Sequence, residues 1–158
     1  MKNMYTEMKR SFLYVTVICL SLFVSLISFS PYRNANLVED VLNQTNQFRK
    51  SKGLSELIIR KELNAIAQKH SADMASGRVA FGHAGFEKRN ALADKKINHL
   101  HSFAENVAYG ATSARDVVNM WKNSPGHRRN MLGHYKYIGI GIARDRHGRF
   151  YYTQVFAG

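Results

Sequence analysis

Seven residues near the C-terminus constrain this chain more than any others: Tyr137-Ile138-Gly139-Ile140-Gly141-Ile142-Ala143. Side chains along a strand alternate between two faces, so this segment is bulky on one face and bare on the other. Asp145-Arg146-His147-Gly148 reads as a turn, and residues 150–156 (Phe-Tyr-Tyr-Thr-Gln-Val-Phe) return as a second strand. The two strands make an antiparallel hairpin.

Upstream, the periodicity is mostly helical. Asn36 can cap a helix with Leu37, Val41, Leu42 and Phe48 on one face, ended by Gly53 after the basic residues Arg49, Lys50 and Lys52. Leu54, Leu57, Ile58 and Ile59 form an apolar connector. Leu63, Ile66, Ala67, His70 and Met74 share one face of a second helix closed by Gly77. Residues 81–86 are too glycine-rich for a helix and read as a shaped loop. Residues 87–100 are polar and receive no assignment. Residues 104–109 form a short strand, and Ser113 caps a third helix with Val117, Val118 and Trp121 inward. Ser124-Pro125-Gly126 breaks that helix, and Pro125 starts a short helical turn through Leu132. Helices packed on a small sheet place the chain in the α+β class.

The N-terminus sets the compartment. Lys2, Lys9 and Arg10 precede an apolar run from Phe12 to Phe29, with no charge from Ser11 to Tyr32. A basic start and a run near the ~20 residues a bilayer needs describe an export signal or a membrane anchor. The basic side stays cytoplasmic, which puts the remainder outside. Pro31 directly follows the small-x-small triplet Ser28-Phe29-Ser30 and disfavours cleavage, so an uncleaved anchor is expected. Residues 1–34 are thus assigned as signal peptide or anchor and 35–158 as the external domain. The single cysteine, Cys19, lies within the apolar run after Ile18, a poor lipidation context. The external part is therefore free of disulfides and thiol chemistry.

With 158 residues, a large multidomain enzyme is excluded, and 45% hydrophobic residues suffice for a core. Lys and Arg number 23 against 11 Asp and Glu; residues 1–30 hold three and one of these, leaving 20 against 10, or +10, outside. Such an excess favours polyanions. Outside the cell, nucleic acid is not expected, and anionic wall polymer or lipid is.

Seven histidines raise the question of a metal. His99, His101, His134 and His147 fall in polar or turn segments and read as surface residues. His70 lies on the inward face of the second helix and is expected to point into helix packing, away from any site. His83 and His127 each follow a glycine in a tight loop. Glu105 interrupts an apolar strand and must be paired, hydrogen-bonded or in a cleft. Spacing alone joins these three only weakly.

The ordered series of motifs is more specific. Gly82-His83, Glu105-Asn106-Val107-Ala108, Trp121-x-x-Ser124-Pro125-Gly126-His127-Arg128-x-Asn130-Met131-Leu132, Ile138-Gly139-Ile140-Gly141 and Tyr151-Tyr152-Thr153-Gln154-Val155-Phe156 together resemble the CAP superfamily. This group comprises cysteine-rich secretory proteins, antigen 5 and pathogenesis-related proteins, also called SCP domains; the resemblance is strongest to its bacterial, cysteine-free branch. It covers about residues 36–158. It implies a three-layer α-β-α sandwich with a small antiparallel sheet, here preceded by an N-terminal hydrophobic helix. It also implies a large cleft lined by two histidines and two glutamates, in which the histidines bind a divalent metal, often zinc. Family members bind sterols, fatty acids or phospholipid, or act as extracellular signals. By motif, His83, Glu105 and His127 match three of the four cleft residues. The second glutamate falls at Ser124 and is lost.

Two imidazoles and a carboxylate suit Zn²⁺. A metal-bound water still needs a general base, and Ser124, which starts the Ser-Pro-Gly turn, supplies none. Asn106 reads as a structural hydrogen-bonder and Trp121 as core. The expected function is an exported binding module at the cell envelope, anchored on the extracellular side of the membrane or secreted, with a metal-capable cleft at His83, Glu105 and His127. The alternatives are a zinc-dependent hydrolase acting on peptide or wall material, and a structural or coat protein.

Overall fold

The bare face of the Gly-Ile strand is where a helix backbone lies against the sheet. In the computed structural model, which describes residues 31–158, a Cβ added at Gly139 would stand 2.2 Å from the Leu63 carbonyl carbon, and one at Gly141 would stand 2.2 Å from that of Ala67. Only glycine permits that approach. Leu63 and Ala67 belong to helix α2 (Lys61–Ala75) and the glycines to strand β3 (Tyr137–Arg144).

The other elements are α1 (Pro31–Lys50), β1 (Ile58–Ile59), α3 (Phe86–Asp94), β2 (Phe103–Tyr109), α4 (Ala114–Asn123), α5 (Pro125–Met131) and β4 (Phe150–Ala157). The strands form one sheet in the order β1-β3-β4-β2. The hairpin is present, with Ile140 opposite Gln154 and Gly141 opposite Thr153. Strand β2 pairs antiparallel with β4, Glu105 lying opposite Val155.

Each face of the sheet carries its own core. Ile138, Ile140, Ile142, Tyr152 and Phe156 pack with Val41 and Phe48 of α1 and with Val117, Val118 and Trp121 of α4. On the other face, Leu63 and Ala67 of α2 meet Ala93, Ile97, Val155 and Ala157. Two apolar clusters on opposite faces of one sheet make the three-layer α-β-α arrangement. Residues Asn34–Gly158 form one compact unit.

Four points separate the structure from the sequence reading, three of them corrections and one an unassigned segment now filled. The sheet is mixed, because Ile58 and Ile59 of the apolar connector run parallel to β3, with Ile58 N–H donating to the Lys136 carbonyl and Arg60 N–H to that of Ile138. The first helix begins at Pro31 instead of at an Asn36 cap, proline being well suited to a first turn. The unassigned segment holds α3, which starts from Gly85 at φ 78° and buries Arg89 and Ala93. The fourth concerns His70 and is described with the site below. The Ser113 cap is as expected, its side chain accepting from the Asp116 N–H.

Two side chains reach the outer margin of β2. Trp121 Nε1–H donates to the Val107 carbonyl at 3.2 Å, and Asn130 Nδ2–H donates to the Glu105 carbonyl at 3.1 Å. At the far end of α1, buried Arg49 donates to the carbonyls of Ser55, Met131 and Gly133, tying that helix to the chain after α5. Among the described residues, no helix is long and apolar enough to cross a membrane. The expected N-terminal span and Cys19 lie outside the described residues.

Candidate functional site

Glu105 sits mid-strand on the α2 face of β2, and its carboxylate is fully buried (0% exposed). Burial of a carboxylate demands compensation. Arg89, projecting from α3, supplies it in bidentate form: Nε donates to Oε2, and Nη2 donates to Oε1 at 2.7 Å. Two parallel charge-assisted bonds are the strongest pairing available to a carboxylate. The guanidinium also donates through Nη1 to the Ala84 carbonyl at 2.8 Å, so Arg89 shapes the loop that carries His83.

His83 Nδ1 lies 2.9 Å from Glu105 Oε1, while its side chain is 49% exposed. A carboxylate oxygen only accepts, so Nδ1 carries a proton toward Glu105 and Nε2 is the ring nitrogen not engaged by the carboxylate. His70 is buried, as expected, but it does not point away. Its Nε2 donates to the Gly82 carbonyl at 2.9 Å and lies 3.8 Å from Glu105 Oε1. The helix face that packs on the sheet is also the face over Glu105, so inward and toward the site are one direction. Burial, followed by the Arg89 charge, holds His70 below the ordinary histidine pKa.

His127 lies on α5. Its backbone carbonyl accepts from Asn106 Nδ2 at 3.2 Å, and Asn130 Nδ2 donates to Asn106 Oδ1 at 3.0 Å. Its pKa is lowered first by burial and then by the charge of nearby His83. His83 and Glu105 are therefore in contact, and His127 is within electrostatic reach of His83. No hydrogen bond or ion pair joins the His127 ring to Glu105 among the described residues. Asn106 and Trp121 are fully buried, and Ser124 begins α5, its carbonyl accepting from Arg128 N–H. His99, His101, His134 and His147 are exposed.

Sequence reading missed Arg89, the nearness of His70 and the bracing by Asn130. The usable signal was Glu105 itself: a carboxylate in an apolar strand requires a cation, and one stood in the unassigned segment.

The residues can be tested for a metal. Both Glu105 oxygens are engaged by Arg89 and His83. Among the described residues, no group of three or more His, Cys, Asp or Glu is arranged to hold an ion. The remaining imidazole candidates are those of His83 and His127, the latter with its pKa lowered by burial. A carboxylate bonded to the far nitrogen of a ligand histidine is a common orienting arrangement. Glu105 fits that role better than direct ligation.

The sequence pattern that defines the cysteine-rich secretory protein family, CAP, matches residues 42–156. The chain belongs to the CAP family. This CAP domain is 32% identical over 122 residues to the uncharacterized membrane protein YlbC of Bacillus subtilis (strain 168), covering 75% of this chain and 33% of the relative. It is 30% identical over 126 residues to the uncharacterized protein YkwD of the same organism, covering 75% and 46%. The chain thus spans less than half the length of these curated relatives. Among solved structures, the SCP-domain extracellular protein of Bacillus anthracis str. Ames superposes with a TM-score of 0.67 at 25% identity, covering 78% of this chain and 40% of that one.

Proposed function

We propose that this CAP domain is an exported binding module of the cell envelope, anchored or secreted, whose His83–His127 pair can take a divalent transition metal such as Zn²⁺. The observation that carries the binding reading is the saturation of Glu105. Its carboxylate is buried and held by Arg89 and His83, so it is not free to act as a general base. What the site offers to solvent is an oriented imidazole nitrogen, a recognition element. When bound, a metal would supply Lewis acidity at His83 and His127; Glu105 would orient His83, and Arg89 would hold Glu105. The envelope setting is supported by the basic N-terminal run, by the printed descriptions of YlbC as a membrane protein and of the B. anthracis neighbour as extracellular, and by the +10 charge of residues 31–158. That charge points to anionic wall polymer or lipid as partner.

Zinc titration by calorimetry tests the site. The full chain should bind, His83→Ala and His127→Ala should each lose most of that affinity, and His147→Ala should keep it. Zinc-dependent turnover of peptide or wall fragments that disappears in His127→Ala would overturn the binding reading in favour of a hydrolase.

A further inference from the structure

Outside the His83–Glu105 centre, aromatic side chains gather at the surface. Phe81 is 47% exposed and Tyr109 is 44% exposed, and their rings meet edge-on with centroids 4.7 Å apart. Tyr151 completes the group, nearly parallel to Tyr109 at 5.8 Å and edge-on to Phe81 at 6.5 Å. The Arg149 guanidinium stands 5.7 Å from the Tyr109 ring. Among the described residues its carboxylate neighbour is Asp145, 3.8 Å away, which accepts from the backbone N–H groups of His147 and Arg149, so the guanidinium keeps donors free.

The topology joins this patch to the site already described. Tyr109 follows Glu105 by four residues on the same face of β2, about 13 Å along the strand. Phe81 precedes His83 by two residues in the same loop.

Adjoining exposed rings at Phe81 and Tyr109, flanked by half-buried Tyr151, form the kind of apolar surface that marks binding. The chemistry selects the occupant. Ring faces carry negative quadrupole density, which suits the flat, slightly positive C–H faces of pyranose rings. An acyl chain offers no partner to the Arg149 guanidinium or to the tyrosine hydroxyls beside it, whereas a carboxylated sugar does. A second copy would bring another +10 domain against it. Among the described residues, the one tyrosine hydroxyl held in a hydrogen bond is that of Tyr152, leaving those of Tyr109 and Tyr151 for a ligand. Arg149 can grip a carboxylate with two N–H groups.

We infer that Phe81, Tyr109, Tyr151 and Arg149 form a subsite for an acidic polysaccharide, with sugar rings stacked on the aromatics and a carboxylate on Arg149. The inference deepens the envelope-binding reading and rests on it for where such a polymer is met.

Three probes separate the elements: hyaluronan hexasaccharide (rings and carboxylates), chitohexaose (neutral rings) and inorganic polyphosphate (charge without rings). The full chain in detergent should bind hyaluronan about tenfold more tightly than either of the others. Tyr109→Ala and Arg149→Gln should each weaken that binding by about fivefold or more, Tyr109→Phe should retain most of it, and His101→Ala, at the opposite end of β2, should leave it unchanged. Polyphosphate binding as tight as hyaluronan, or insensitivity to Tyr109→Ala, overturns the subsite. So does Tyr109-dependent binding to anionic lipid vesicles without hyaluronan binding. Tyr109-dependent hyaluronan binding by a chain that fractionates with the cytosol would support the subsite and sink the envelope reading alone.

Discussion

One methyl group at position 141 gives a test whose sign is decided by packing. In Gly141→Ala the new Cβ would lie 2.2 Å from both the Ala67 carbonyl carbon and the Gln68 nitrogen. Carbon contacts settle at about 3.5–4.0 Å, so α2 must withdraw by about 1.3 Å or more, and the obstacle is rigid backbone. Four bonds hold α2 to β3 at this point. Ile140 N–H donates to Asn64 Oδ1 at 2.8 Å, and Ile142 N–H donates to Gln68 Oε1 at 3.0 Å. Gln68 Nε2 donates to the Ile142 carbonyl at 3.0 Å, and Ser71 Oγ donates to that of Gly141 at 2.9 Å. Overpacking costs about 1–3 kcal/mol, and each loosened hydrogen bond costs up to about 1 kcal/mol. The expected loss is about 3–6 kcal/mol, a large part of the ~5–15 kcal/mol that holds a domain together. Intrinsic preference points the other way, since alanine in a strand interior is favoured over glycine by about 0.5–1 kcal/mol. Urea unfolding read by the fluorescence of the single, fully buried Trp121 measures the difference. Gly126→Ala is the control, because its Cβ would meet only the tip of Arg129 at 3.9 Å. Wild-type or higher stability in Gly141→Ala would refute the close-packing argument.

Arg89→Ala should cost about 3–5 kcal/mol in the same assay, since it strands the Glu105 carboxylate in the interior; Arg89→Leu combined with Glu105→Leu should recover part of that loss. Stability should depend on pH through His70. Its folded pKa is depressed by burial, so the unfolded chain binds more protons below about 6.5, and stability should fall as pH drops from about 6.5 toward 5. Unfolding midpoints at pH 7.5 and 5 check this, and His70→Gln should reduce the dependence, leaving the share that His127, also lowered by burial, contributes with the same sign. Trp121→Phe removes the donor to a buried carbonyl and should cost about 1–3 kcal/mol, measured by circular dichroism in urea.

The sequence made the hairpin legible because alternation with glycine has few other readings, and it made α2 and α4 legible because each has a continuous apolar stripe. Helix α3 was not legible for a physical reason: its buried residues are Arg89 and Ala93, one charged and one small, so no stripe marks it. Strand β1 consists of two residues and owes its existence to a neighbour far away in sequence. Within the site, the sequence marked His83 and Glu105 as unusual, one after a glycine in a tight loop and the other in an apolar strand, and the structure sets them 2.9 Å apart. Three-dimensional information was needed to show that Arg89 saturates the carboxylate and that His70 turns toward it. The pairing of Glu105 was demanded by its strand, but the identity of the partner is set by how α3 folds back from Gly85.

The side-chain bonds from Trp121 and Asn130 to β2 have a consequence for copies of this domain crowded together. An open outer strand is a template on which another chain can add and propagate a sheet. Here the outward carbonyls of Glu105 and Val107 are already occupied, and the opposite margin ends in the two residues of β1. Two outward acceptors of β2 are therefore unavailable to an added strand and the β1 edge is only two residues long, which lowers the hazard of strand-by-strand polymerisation when the domain is densely displayed.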